Sequence, residues 1–164
     1  MKTLKTISKF ILFAAFGLAL NSCNKDDDNP VYPTGAGDYF VTAKINDANY
    51  SNSAYFAPTA ALSNGVLQIQ SSNDSGNSIQ IRIANYSGPG TYNVGGDITA
   101  GYINYTTLTP FKAYTSVRGT GTVQITEASA TQLEGNFSAF AAINEEGGTE
   151  ALTISEGDFK VKLQ

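Results

Sequence analysis

The chain has 164 residues, nine tyrosines and nine phenylalanines but no tryptophan, one cysteine, no histidine, and a formal net charge of −4. No histidine and a single thiol exclude Ser-His-Asp and Cys-His catalysis, the usual zinc sites and any intramolecular disulfide. The acidic balance disfavours nucleic acid and anionic lipid as partners, and the length suits one domain with a substantial core.

Lys2, Lys5 and Lys9 give the chain a positive start, and residues 10–20 follow as an uncharged apolar run. That run is too short to span a bilayer as a helix, and with the small residues of Leu20-Asn21-Ser22-Cys23 it reads as a lipoprotein signal peptide. Residues 1–22 are expected to be removed, which leaves Cys23 as the acylated N-terminus. Each buried methylene contributes about 0.8 kcal/mol, and stable attachment takes more than one acyl chain. From Cys23 onward, seven Lys or Arg stand against fourteen Asp or Glu, a net charge of −7.

Asn24-Lys25-Asp26-Asp27-Asp28-Asn29-Pro30 has nothing apolar to bury. Lys25, Asp26, Asp27 and Asp28 resemble the lysine-plus-acid sorting signal that sends some Gram-negative lipoproteins to the outer face of the outer membrane. Residues 23–37 are therefore expected to form a flexible acidic tether, with a mean span of roughly 20 Å by random-coil scaling. With such a tether the domain is expected to hover at the bilayer and not to embed in it.

From residue 38 to 164 the hydrophobic pattern has period two. Val41, Ala43 and Ile45 alternate with Thr42 and Lys44; Leu67 and Ile69 with Gln68; Ile79, Ile81 and Ile83 with Gln80 and Arg82. Ile103 and Tyr105, Val123 and Ile125, then Phe159, Val161 and Leu163 continue the pattern. Turn residues separate the runs: Asn46-Asp47, Ser63-Asn64-Gly65, Asn73-Asp74-Ser75-Gly76-Asn77, Ser87-Gly88-Pro89-Gly90, Gly95-Gly96-Asp97 and Gly147-Gly148. Eight to ten short antiparallel strands are expected, each with one buried face. They should build an all-β antiparallel sandwich, with a closed, lipocalin-like barrel as the alternative.

The motifs favour architecture over chemistry. A carboxylate glycosidase would need two acids facing each other across a cleft. The candidates Glu127, Glu134, Glu145, Glu146, Glu150, Glu156 and Asp158 fall mostly in or beside predicted turns. Residues 73–77 are rich in oxygen donors but lack the calcium-loop signature and read as a hairpin turn. Gly88-Pro89-Gly90 and Gly119-Thr120-Gly121-Thr122 lack the lysine and following helix of a phosphate-binding loop. No cofactor or metal is expected. Tyr50, Tyr55, Tyr86, Tyr92, Tyr102, Tyr105 and Tyr114 offer either a stacking platform for a sugar or peptide or half-buried strand positions, and the second reading is favoured. Leu133-Glu134-Gly135-Asn136-Phe137 and Ser155-Glu156-Gly157-Asp158-Phe159 repeat one pattern, whose glycines mark a bulge or a close backbone approach.

The lipobox at Cys23, the opening Tyr39-Phe40-Val41-Thr42-Ala43-Lys44-Ile45-Asn46-Asp47, the central Gly88-Pro89-Gly90-Thr91-Tyr92-Asn93-Val94, the run Gly121-Thr122-Val123-Gln124-Ile125-Thr126 and the two Glu-Gly segments together resemble a family of Gram-negative surface lipoproteins. The resemblance implies an exported all-β domain with no established activity. The expected function is a non-enzymatic binding or structural accessory at the cell envelope. Its membrane contact is the lipid anchor, and a glycan, a peptide or an envelope protein are its candidate ligands. The alternatives are a carrier enclosing an apolar ligand, a carboxylate glycosidase and a fimbria-like subunit with an exchangeable edge strand.

Overall fold

The computed structural model describes residues 39–164. Cys23, Lys25, Asp26, Asp27, Asp28 and the expected signal peptide at residues 1–22 lie outside the described residues. Ten strands follow in order: β1 (Phe40–Ile45), β2 (Ala48–Ser51), β3 (Thr59–Ser63), β4 (Val66–Ser72), β5 (Ser78–Ile83), β6 (Gly90–Val94), β7 (Gly101–Leu108), β8 (Phe111–Ala128), β9 (Gln132–Ile143) and β10 (Ala151–Leu163). They pair in the order β2-β1-β10-β3-β4-β5-β7-β8-β6, and β9 pairs with both β8 and β10. The fold is all-β and sandwich-like: one large, almost wholly antiparallel sheet bends over a single core. Its one parallel joint is the short pairing of Lys162 and Leu163 with Thr59 and Ala60.

Alternation dictates this burial directly in the shorter strands. Leu67 and Ile69 of β4, Ile79, Ile81 and Ile83 of β5 and Ile103 of β7 all point inward with almost no exposed surface, while Gln68, Gln80 and Arg82 keep to the outer face. Val41, Val94, Val123, Ile125, Leu133, Phe137, Ile154, Phe159 and Val161 complete the cluster, so every sheet neighbourhood feeds the same core. Turn chemistry sets the register. Asn46 and Asp47 (φ 46° and 67°) and Asn64 and Gly65 (φ 51° and 75°) supply the paired left-handed conformations of two-residue hairpins.

Short strands are not the whole sheet, however, because β8, β9 and β10 run for 18, 12 and 13 residues. The glycines inside β8 do not break it. A Cβ on Gly119 would lie 2.1 Å from the Phe140 carbonyl oxygen, so glycine there permits close approach of β9 and does not mark a turn. In β10 the alternation changes phase. Leu152 and Ile154 are buried, then Gly157, Phe159 and Val161, with one extra residue between the sets. Both neighbours register that residue: Thr42 and Lys44 of β1 face Asp158 and Ser155, and Phe137 and Ala139 of β9 face Gly157 and Ile154. Glu156 absorbs it as a bulge at φ 49°, and its carboxylate pairs with Lys44 at 2.9 Å.

The repeated Glu-Gly segments meet at this bulge. Phe159 lies opposite Gly135 and Phe137 opposite Gly157, so each ring covers the glycine of the other strand. An added Cβ would meet the Phe159 ring at 2.7 Å from Gly135 and the Phe137 ring at 2.7 Å from Gly157. The two rings are 6.3 Å apart, and Lys160 joins Glu134 across the same strands at 3.0 Å. Among the described residues, β2 and β6 end the pairing path. With four and five residues they are short edges, which limits strand addition.

Candidate functional site

Chain geometry brings three connections together beside the point where the polypeptide enters the sheet. Asn52 donates its backbone N–H to the Val41 carbonyl (3.0 Å) and accepts the Val41 N–H on its side-chain oxygen (2.9 Å), which pins the β2–β3 loop to the start of β1. Ser53 then donates to the Ser72 carbonyl at the end of β4 (2.7 Å). In the β4–β5 turn, the Asn73 side-chain oxygen accepts the N–H groups of Ser75 (3.0 Å) and Asn77 (2.9 Å), a local turn that ties this oxygen to the backbone. The Asn77 side chain accepts the Leu108 N–H at 3.2 Å, which links that turn to the β7–β8 hairpin.

Between the first two connections lies an open groove of about 760 Å³, lined among others by Tyr55, Phe56, Thr59, Gln70, Ser72 and Asp74. Tyr55 and Phe56 form its aromatic wall and are 85% and 71% exposed. No hydrogen bond within the described residues engages the side chains of Thr59, Gln70, Ser72 or Asp74, so the groove sets solvent-facing polar groups against apolar rings. Such a combination suits an amphipathic ligand surface.

Beneath the groove the tyrosines form a ladder into the core. The Tyr50 hydroxyl shares a 2.9 Å hydrogen bond with Ser71, and burial pushes its pKa up to about 12 against the opposing effect of that bond. Tyr50 meets Tyr105 edge-on at 6.3 Å, and Tyr105 stacks on Tyr114 at 6.5 Å. Burial likewise raises the pKa of Tyr105, partly offset by a hydrogen bond with the Asn77 side chain. The Tyr114 hydroxyl donates to Glu150 at 3.0 Å, beside Lys112. Tyr86 and Tyr92 pair separately, 5.8 Å apart. Of the seven tyrosines only Tyr55 is exposed; the others are buried or half-buried.

The DUF6252 pattern, a domain of unknown function, matches residues 37–161. The chain belongs to the DUF6252 family. No curated protein and no solved structure matches it.

In this DUF6252 domain the seven candidate carboxylates are dispersed. None lines the groove, whose acid is Asp74. Glu127 and Glu134 sit opposite each other on β8 and β9, and Glu134 is engaged by Lys160 and by the Gln132 amide at 2.7 Å. Hydrogen bonds from Lys112 and Tyr114 hold the Glu150 carboxyl below its usual range. Burial, and then the neighbouring Glu156 charge, raise that of Asp158. Among the described residues, no group of three His, Cys, Asp or Glu is placed to hold a metal ion. The sequence points to tyrosines for any stacking role and passes over Phe56, Leu108 and Phe111, which no periodic pattern singles out because all three lie in or beside turns.

Proposed function

We propose that this DUF6252 domain is an exported, lipid-anchored module that acts without catalysis, as a binding or structural accessory at the cell envelope. The observation that carries this reading is the contrast between inside and outside. The interior is packed with the protein's own side chains from all ten strands, whereas unengaged polar groups and exposed rings gather at the external groove. A carrier would reserve its apolar interior for cargo. Lys2, Lys5, Lys9, the short apolar run and Cys23 support export and acylation, and Lys25, Asp26, Asp27 and Asp28 support delivery to the outer face of the outer membrane.

Mass spectrometry of protein isolated from cell membranes tests the anchor: the reading expects a chain that begins at an acylated Cys23, and Cys23→Ala should move it to the soluble fraction. An unmodified thiol would end the lipoprotein reading. Protease shaving of intact cells tests exposure, with peptides of the domain expected in the released material. Organic extraction of the purified protein tests the carrier alternative, and a stoichiometric apolar molecule in the extract would replace the accessory reading.

A further inference from the structure

The groove wall belongs to a larger apolar rim. Gly76, on the groove's far side, lies against Leu108, whose Cδ2 would be 2.6 Å from a Cβ at that glycine. Leu108 faces Phe111 across the β7–β8 hairpin. Tyr55, Phe56, Leu108 and Phe111 are 85%, 71%, 59% and 71% exposed, and they account for most of the large hydrophobic side chains the described residues leave in solvent. Aromatic and aliphatic groups gathered on one edge are unusual in a freely soluble surface.

Two further observations say what covers them. The loop bearing Tyr55 and Phe56 is hydrogen-bonded through Asn52 to Val41, so the Tyr55 and Phe56 end of the rim adjoins the start of β1, the side from which the segment leading from Cys23 comes. Residues 52–58, 73–77 and 108–111 carry a single charge between them, that of Asp74, although the processed chain as a whole is strongly acidic. Uncharged rings with polar atoms close behind them match the interfacial zone of a bilayer, where amphipathic aromatic side chains concentrate.

We infer that Tyr55, Phe56, Leu108 and Phe111 seat this edge on the surface of the bilayer that holds the Cys23 lipid, so that the domain docks beside its own anchor with the groove opening at the lipid headgroups. This rests on the lipid-anchored reading above and names the partner of the same groove. Asp74 in the groove and the Lys112–Glu150 ion pair next to Phe111 give the rim no net positive charge, so neutral lipids are preferred over anionic ones. The tether sets the local concentration of the rim at the surface, so modest apolar contact suffices for docking.

The chain contains no tryptophan and only one cysteine, which makes the test direct. The processed protein, beginning at Cys23, is coupled through that thiol to a maleimide lipid in neutral phosphatidylcholine vesicles. Single tryptophans are introduced by Phe56→Trp, by Phe111→Trp and, as the reference, by Ile98→Trp. Ile98 is exposed on the turn before β7, beside Arg82 near the far end of β5, away from the rim. Circular dichroism verifies the fold of each variant.

On coupling, the two rim tryptophans should shift to blue emission and be quenched by brominated lipid, while the Ile98 reporter stays as in solution. Rim tryptophans unchanged by coupling, or quenching equal at all three positions, would overturn the proposal; the first result would leave the rim to a protein partner. Chemical coupling supplies the anchor, so the outcome is independent of whether cells acylate Cys23. Failure of docking and failure of the lipoprotein reading are therefore separately visible.

Discussion

The β4–β5 hairpin and the β9–β10 pair bury comparable apolar faces by different devices. In the hairpin the register runs unbroken from Leu67↔Ile83 to Ser72↔Ser78, and on the inner face Leu67 and Ile69 stand beside the similar-sized Ile83 and Ile81, with Ser71 beside Ile79 at the open end. In β9–β10 each large ring faces a glycine, Phe159 over Gly135 and Phe137 over Gly157, and an extra residue interrupts the ladder. A pleated face tolerates medium residues everywhere or large ones only where the partner lacks a side chain. The first device is written as strict period two, whereas the second needs both a glycine and a place for the strand to bend.

One-residue deletions break this comparison most strongly. Removing Gln80 should turn either Ile79 or the pair Ile81 and Ile83 to solvent, because a single-residue slip reverses every face beyond it. Each exposed isoleucine forfeits about 1.5 to 3 kcal/mol, which for two of them approaches the whole stability of a typical domain, about 5 to 15 kcal/mol. Loss of a cooperative thermal transition is expected. Removing Glu156 should do the opposite, since it leaves Ile154 and Gly157 separated by one outward residue and restores simple alternation. It discards a left-handed residue that costs about 1 to 2 kcal/mol and an exposed ion pair of little consequence. A ΔGlu156 chain that fails to fold would show that the bulge sets essential curvature.

The same contrast explains how much of the fold is legible in the sequence. Leu67, Ile69, Ile79, Ile81, Ile83 and Ile103 announce both strand and inward face, because a sheet with one wet side leaves period two in the sequence. The turn at Asn64-Gly65 is equally plain. In β10 the reading from Phe159 reaches no further than the bulge, since Ile154 has the other parity; local sequence does not say which residue will take φ 49°. The length of β8 is hidden because glycine is the same letter in a turn and at a close approach. The groove is hidden for a different reason: Tyr55, Phe56, Asp74, Leu108 and Phe111 come from separate connections, and only the pairing of distant strands brings them together.

Within the intact ladders, truncation sharpens the comparison. Ile81→Ala should cost about 2 to 5 kcal/mol as a cavity in the regular face, visible as a lower midpoint of urea unfolding with the slope unchanged. Gly135→Ala is its converse, and overpacking there should cost about 1 to 3 kcal/mol. The added methyl would lie 2.1 Å from the Gln124 carbonyl oxygen as well as against the Phe159 ring. Adding Phe159→Leu should therefore not restore stability, because backbone of β8 has to move in either case. Full rescue would mean that the ring alone dictates the glycine.

The smallest effect is expected on the outer face of the hairpin. Gln80 stands between Gln70 of β4 and Asn104 of β7 in register, with no acidic or basic residue directly opposite. Gln80→Lys should stay within about 0.5 kcal/mol of the parent, as surface changes usually do. Two local influences oppose each other. Arg82, two residues along the same face, adds a like charge that solvent screens, while the Asn104 side-chain oxygen, which is buried without a hydrogen-bond partner, gains a donor within reach. If that oxygen is where the hairpin's outer face falls short, the introduced ammonium group should raise the unfolding midpoint slightly, and added salt should raise it further by damping the repulsion from Arg82. A loss comparable to that of Ile81→Ala would show that the outer face is packed against something, and that the clean division of this hairpin into one wet and one dry side is wrong.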